Sequence, residues 1–309
     1  MPSPRELLEP YLVERALYVA EATVSHDRFH LGLFFEFLDS RSVHEVGAVT
    51  FQDLDAYSHH LDTVPGKRGK TASPAHKQKA LQVSRLFLSW ACCAGHSLVD
   101  FERYQLPHRV RVEMVEVPSV EQVKKLLEAP DTSRPQGRRN RLVLESFYTL
   151  GLRRRESYQL SLSDISLSKR TVRVLGKRRR ERTLPLTDRL TELFRRYLQE
   201  DRPRLRPNPG EEALWVSPQT GNRLSFTYLR VVVGGYAKKL GLGNIYPHLL
   251  RHACATHMLE GGATLQEIQL FLGHSSPNST ERYAHVGAEE LKAVFKACHP
   301  RCRNEESGD

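Results

Sequence analysis

The chain is defined first by what is missing from it. No apolar run is long enough to cross a bilayer, which excludes a membrane-spanning helix. The opening residues, Met1-Pro2-Ser3-Pro4-Arg5-Glu6, lead into mixed charge and not into the apolar core of a signal peptide. Cysteine is scarce and odd in number: Cys92 and Cys93 are adjacent, Cys254 is alone, and Cys298 and Cys302 lie near the end of the sequence. That pattern is no disulfide framework, and it points to reduced thiols in a cytoplasmic protein. Cys298-His299-Pro300-Arg301-Cys302 has no second ligand pair at matching spacing, so it reads as free cysteines at a helix end and not as a metal site. There is neither an internal repeat nor a long low-complexity tract.

Negative charge is also in short supply. Against 36 Asp and Glu stand 46 Lys and Arg, a net charge of +10, and the sequence pI is about 9.5. A chain this basic suits a polyanion, and nucleic acid is the default candidate. The remaining composition is ordinary: 39% hydrophobic and 27% charged, with a mean hydropathy of -0.48. Wholesale disorder and a collagen-like class are thereby excluded. At 309 residues, two domains are favoured over one.

The first hundred residues read as four helices. Leu7, Leu8, Tyr11, Leu12 and Ala16 recur with helical period between Arg5 and Ala20. Thr23 is the expected N-cap of a second helix to Leu38, with Phe29, Leu33, Phe34, Phe37 and Leu38 inward. A third helix is expected over Thr50–Leu61, and a long fourth over Ser73–Ala94. Between the last two lies a basic turn, Val64 to Lys70. Lys67, Arg68, Lys70 and Lys77 there are candidate contacts to phosphates, and a solvated charged face explains them equally well. Pro107 to Val117 alternates charge with valine and reads as a linker. The expected organisation is therefore a helical domain over 1–106, a linker over 107–117 and a second domain over 118–309.

Ser119 should cap the first helix of the second domain. Asp131 to Asn140 reads as a polar loop, followed by helices over Arg141–Leu150 and Leu152–Leu162 with Gly151 breaking them apart. Thr171–Leu175 and Arg182–Leu186 alternate as a β-hairpin with a very basic tip. Further helices are expected over Thr187–Gln199, Phe226–Leu240, His248–Glu260, Leu265–Leu272, Ser276–Tyr283 and Ala288–Ala297. The fold class is mainly α with a small β-sheet.

Five stretches of the second domain carry the chemistry. They are Thr149-Leu150-Gly151-Leu152-Arg153-Arg154-Arg155-Glu156, Gly176-Lys177 with Glu181-Arg182, Pro247-His248-Leu249-Leu250-Arg251-His252, Leu272-Gly273-His274, and Arg282-Tyr283-Ala284-His285. In this order they resemble the motif boxes of the tyrosine recombinase (phage integrase) family, and their flanks are most similar to its bacterial Xer branch. The resemblance is strong from about Pro118 to Arg301 and weaker over the helical N-terminal part. It implies an N-terminal four-helix core-binding domain and an α+β catalytic domain. It also implies an activity: site-specific DNA cutting and rejoining through a 3′-phosphotyrosyl intermediate.

The roles that follow from the resemblance suit the residue types. Tyr283 is the expected nucleophile. Arg153 and Arg251 are the expected clamp on the non-bridging oxygens of a pentavalent phosphorane, because arginine is always charged and bidentate. His248 and His274 would donate hydrogen bonds or shuttle the tyrosine proton. Lys177 would protonate the leaving 5′ oxygen, and Glu156, one helical turn after Arg153, would orient a cation. Arg154, Arg155, Arg178, Arg179 and Arg180 are candidate DNA contacts. They are also departures, since relatives tend to have an apolar residue and a serine after the first arginine and a glycine after the lysine. His252 and His257 read as packing or supporting residues. No His-Glu-x-x-His pattern is present, and no metal or other cofactor is expected. The implied partners are a double-stranded DNA site and a homo- or hetero-tetramer on paired sites, with room for an accessory protein and no membrane. The C-terminal segment would dock on a neighbouring protomer. The implied setting is the cytoplasm, at the nucleoid. Within the family two roles compete, Xer-like resolution of chromosome or plasmid dimers and integration or excision of a mobile element or phage. The short stretch before the helical domain favours the simpler Xer-like organisation over one with an additional arm-binding domain. A non-catalytic architectural DNA-binding relative and a type IB topoisomerase are the competing readings.

Overall fold

The computed structural model describes residues 1–63, 72–106, 116–176, 181–273 and 288–303, with 288–291 and 303 described by backbone alone. Internal packing divides the chain into two units, Met1–Val115 and Glu116–Asp309.

The first unit is built from α1 (Leu8–Ala16), α2 (Glu21–Ser40), α3 (Phe51–Thr63) and α4 (Pro74–Cys93), with short 3-10 turns at Val46–Ala48 and Phe101–Arg103. Its core is aromatic: Phe34 meets Tyr57 at 4.9 Å between ring centroids, Phe35 meets Phe87 at 5.2 Å, and Tyr11 meets Phe87 edge-on at 5.4 Å. Ser73 caps α4 by accepting from the His76 N–H. Two details differ from the sequence reading. Helix α2 starts at Glu21 with Ala20 as its cap residue, so Thr23 lies inside the first turn and caps nothing. Phe29 is 51% exposed, because the buried stripe runs through His30, Leu31, Phe34, Phe35, Phe37 and Leu38 instead.

The second unit opens with α5 (Val120–Glu128), held by a capping box between Ser119 and Gln122. Helix α6 spans Pro135–Thr149 and starts well before the expected Arg141. Its first turn looks like a polar loop in sequence, yet Arg139 is fully buried, donating to the Val216 carbonyl at 2.6 Å and to Asn140 Oδ1 at 2.8 Å. Buried and paired arginines thus mimic a solvated loop. Pro135 at the first helical position needs no backbone donor. At Gly137 any Cβ would sit 1.7 Å from the Asp131 carbonyl oxygen.

Only Arg154–Gln159 is helical (α7) in the stretch expected to be a helix from Leu152. The chain then forms a three-stranded antiparallel sheet: β1 (Ile165–Ser166), β2 (Thr171–Leu175) and β3 (Glu181–Pro185). The hairpin was legible; β1, at two residues, was not. In the register, Val172 faces Leu184 and Val174 faces Arg182. Helix α8 (Asp188–Arg196) continues through a π turn at Tyr197–Asp201 into α9 (Arg202–Arg204). Asp201, buried at that turn, takes a 2.7 Å bond from Arg138 Nε.

Among the described residues, helices α10 (Phe226–Lys239), α11 (Pro247–Glu260), α12 (Leu265–Leu272), α13 (Ala288–Cys298) and α14 (Pro300–Arg303) follow; the helix expected over Ser276–Tyr283 lies outside them. The segment α13–α14 packs on its own unit. Phe295 stacks on Phe271 at 5.0 Å, and Arg301 donates to Glu145 of α6. The docking on a neighbour that the sequence implied concerns an assembly, whereas this is the arrangement within one chain. No helix among the described residues is long and apolar enough to cross a membrane.

Candidate active site

Three segments of the second unit meet at one carboxylate, and the end of a fourth is held by the same arginines. Helix α6 ends at Thr149, and Gly151 turns the chain with φ +56. Glycine suits that left-handed turn, and a Cβ would stand 2.3 Å from Leu272 Cδ2, so the leucine side chain would have to move. Arg153 follows in extended conformation as the cap residue of α7. Its backbone N–H donates to Glu156 Oε2 at 2.8 Å, and its Nη1 donates to Glu156 Oε1 at 2.7 Å. A carboxylate at the first turn of a helix also meets the positive end of the helix dipole.

Strand β3 delivers a second arginine. Strand alternation puts Arg182 on the same face as buried Leu184. Its Nη1 and Nη2 bond Glu156 Oε1 and Oε2 at 2.9 and 2.8 Å, a fork on a fork. Helix α11 delivers the third. Arg251 is only 3% exposed, and it donates to the Gly151 carbonyl at 2.6 Å and to the Leu272 carbonyl at 2.7 Å. Arg153 Nη2 reaches the Gly273 carbonyl at 3.3 Å. Two of the arginines therefore hold the C-terminal carbonyls of α12, where a helix end favours cations. Gly273, with φ +66, ends that helix just before His274.

Three guanidinium groups around one carboxylate leave an excess of positive charge. Burial pushes Glu156 up, but the bonds from Arg182 and then Arg153 outweigh it, and the carboxyl stays ionised below its usual range. Burial and the field of Arg153 lower Arg251 to about 10, so it remains a cation at neutral pH. His248 is one turn before Arg251 on α11; burial, then Arg251 and Arg153, lower it, which favours a neutral imidazole at neutral pH. Arginines with spare N–H donors beside a neutral histidine can bind an oxyanion and move a proton.

Of the residues singled out from sequence, Arg153, Glu156, His248 and Arg251 come together here. His252 is exposed, and His257 is buried with its Nδ1 2.9 Å from the Tyr148 hydroxyl. Arg154 lies over the Phe226 ring at 3.9 Å, while Arg155 is exposed. Lys77 Nζ is 2.5 Å from Asp62. Lys177, Arg178, Arg179, Arg180, His274 and Tyr283, with Lys67, Arg68 and Lys70, lie outside the described residues. Arg182 was missed as a site residue. Its signal was a charged side chain in phase with the apolar face of a strand.

Comparison with known proteins gives a consistent result. Residues 118–290, more than half the chain, match the phage integrase family. A tyrosine recombinase XerC of Herpetosiphon aurantiacus is 33% identical over 288 residues, 91% of each chain. A tyrosine recombinase XerD of Staphylococcus epidermidis is 28% identical over 300 residues, 96% of this chain and 99% of that one. A tyrosine recombinase XerC of Pelotomaculum thermopropionicum is 42% identical over 188 residues, which are 59% of this chain and 61% of that protein. Among solved structures, the post-cleavage complex of XerH site-specific recombinase with palindromic difH substrate has a TM-score of 0.66 at 23% identity, covering 94% of this chain and 83% of that one.

Proposed function

The chain belongs to the phage integrase family, and from that premise we propose that it is a site-specific DNA recombinase working through a tyrosine nucleophile. The observation that carries this reading is the cluster in which half-buried Arg153 and buried Arg251 flank the buried Glu156 carboxylate while retaining donors for a phosphate. In the proposed reaction the Tyr283 oxygen attacks phosphorus and the bond to the 5′ oxygen breaks. Lys177 gives that oxygen its proton. Arg153 and Arg251 offset the charge that builds on the non-bridging oxygens. Neutral His248, with His274, handles the tyrosine proton. Religation is the same path reversed, so the phosphodiester energy is retained and no cofactor is required.

The partner is a double-stranded DNA site, bound by a helical core-binding domain over 1–106 and a catalytic domain over 118–309. Four protomers, alike or of two kinds, act on paired sites in the cytoplasm, at the nucleoid. The XerC- and XerD-named relatives, aligned over nearly the whole chain, favour an Xer-like organisation. The test is to map the cleaved site in the source genome and incubate a nicked suicide duplex of it with the protein. A covalent adduct on a denaturing gel is expected, lost in Tyr283→Phe. Equal adduct from both proteins would overturn the assignment. Relaxation of supercoiled plasmid without any specific site would make the protein a topoisomerase instead.

A further inference from the structure

We propose that Arg182 is a positioning residue for strand cleavage: it saturates the Glu156 carboxylate and so keeps Arg153 and Arg251 available to a phosphate. The inference rests on the recombinase reading and adds a residue to it.

A carboxylate offers about four acceptor positions. On Glu156, Oε1 accepts from Arg153 Nη1 at 2.7 Å and Arg182 Nη1 at 2.9 Å. Oε2 accepts from the Arg153 backbone N–H at 2.8 Å and Arg182 Nη2 at 2.8 Å. All four positions are filled. Arg251 Nη1 is left 3.9 Å from Oε2, beyond hydrogen-bond range. Its bonds go to the neutral carbonyls of Gly151 and Leu272, which direct the guanidinium without neutralising it.

Removal of Arg182 opens two positions on a carboxylate that is 3% exposed. A buried charge does not stay unpaired. The cation best placed to fill the gap is Arg251, a shift of about 1 Å away from bonding distance. Arg153 is the other, and it would be drawn further onto the carboxylate. Either movement spends a phosphate clamp on an internal ion pair. The site would also fall from two net positive charges to one, counting three guanidinium groups against one carboxylate now and two against one afterwards.

Two further observations fit Arg182 to this task. Its Nε is buried without an acceptor among the described residues, so the fork on Glu156 holds its guanidinium. A Cβ on Gly273 would come within 3.1 Å of Arg182 Cδ, so the side chain fills the space between β3 and the end of α12. Arg182 thus joins the hairpin, the arginine pair and the turn before His274 through one contact set.

The test compares full-length wild type, Arg182→Gln, Glu156→Gln and the double variant, with Arg182→Lys as a milder change that retains the charge. On the nicked duplex, single-turnover cleavage should fall about 100-fold in Arg182→Gln and about 10-fold in Arg182→Lys, with duplex affinity changed less than about 3-fold. The double variant should cleave about 10-fold faster than Arg182→Gln and as fast as Glu156→Gln alone, because the competing carboxylate is gone. A merely structural arginine gives no such rescue, and a double variant as slow as Arg182→Gln overturns the proposal. Inorganic phosphate is the probe of the second arm, read as its stabilisation of each protein against heat. Its apparent affinity should weaken about 10-fold in Arg182→Gln and recover in the double variant. That phosphate pattern with no adduct from wild type would sink the recombinase reading and leave Arg182 as the residue that keeps the arginine pair open to a phosphate, with no part in strand cleavage. Wild-type cleavage with unchanged cleavage and phosphate binding in Arg182→Gln would do the reverse.

Discussion

Arg251 Nη1 donates to the Gly151 carbonyl at 2.6 Å, so the most deeply buried cation of the site is aimed by a glycine in a left-handed turn. The two are a hundred positions apart, and the link ties the end of α6 to the middle of α11. Gly151→Ala is expected to be costly twice over. The left-handed backbone disfavours alanine, and the new methyl would press on Leu272, whose carbonyl is the other anchor of Arg251. Stability should drop by about 2 kcal/mol by urea unfolding. Adduct formation should drop by about 100-fold, because both anchors of one clamp move together. A variant that loses stability but cleaves normally would show that Arg251 is not aimed through Gly151.

A second carboxylate, Glu145 on α6, holds the end of the described chain. Arg301 Nε donates to its Oε2 at 3.1 Å, its Nη2 bonds Oε1, and Arg189 Nε reaches Oε1 at 3.3 Å. Glu145 and Arg301 are both buried, so truncating one strands the other. Glu145→Gln should destabilise the protein by about 3 kcal/mol. Limited proteolysis should then remove the α13–α14 segment sooner than in wild type. Unchanged protease sensitivity would mean that the apolar contact of Phe295 on Phe271 suffices to hold the segment.

Arg154 and Arg155 look alike in sequence and are placed differently. The Arg154 guanidinium covers the Phe226 ring and braces α7 against α10, whereas Arg155 is exposed. Arg155→Ala should reduce by about one the slope of log affinity for DNA against log salt, the signature of one lost phosphate contact. Arg154→Ala should instead lower the melting temperature, through the loss of a stacking contact of about 1 kcal/mol. Titrations of a labelled duplex at three or more salt concentrations separate the two. Equal slopes for wild type and Arg155→Ala would remove Arg155 from the interface.

These cases mark where the sequence was readable. Periodicity found most of the helices and the hairpin, whereas Arg153, Glu156, His248 and Arg251 were brought together only by the resemblance of their motif boxes to a known family. It failed where polar side chains are buried. The Arg139 and Asn140 turn of α6 read as a loop, because burial paired with hydrogen bonds has the composition of solvation. Arg182 was passed over for a related reason. A charge in phase with Val172, Val174 and Leu184 is an exception to strand patterning, and such an exception needs an internal counter-ion such as Glu156 to explain it. Phe29 failed in the opposite sense, an apolar residue on the exposed side of α2. Sequence spacing identifies which faces are apolar; it does not identify which charges have a partner inside.

His299 gives the pH prediction. Its ring is fully buried, 5.1 Å from the Tyr148 ring and 5.1 Å from Phe295, and its Nδ1 accepts from the Arg301 backbone N–H at 3.1 Å. Burial, with His257 and Arg301 nearby, lowers it to about 3. Protonation would also turn the Nδ1 acceptor into a donor facing a donor. The unfolded chain takes up this proton near pH 6.5, and the folded chain does so only near pH 3. Over that window the unfolded state holds the extra proton, so stability falls as the pH falls, and it is intact above it. The contribution approaches about 1.4 kcal/mol per pH unit. His299→Asn keeps an acceptor near the Nδ1 position and cannot titrate. Urea unfolding should therefore show a shallower loss of stability between pH 6.5 and 4 in the variant. Trp215 fluorescence in a Trp90→Phe background follows the second unit, and comparing His299→Asn with its parent cancels the contribution of His30, lowered to about 4. Equal slopes for His299→Asn and its parent would mean that His299 takes up its proton as readily in the fold as in the unfolded chain, and its role as a buried neutral acceptor for Arg301 would have to be abandoned.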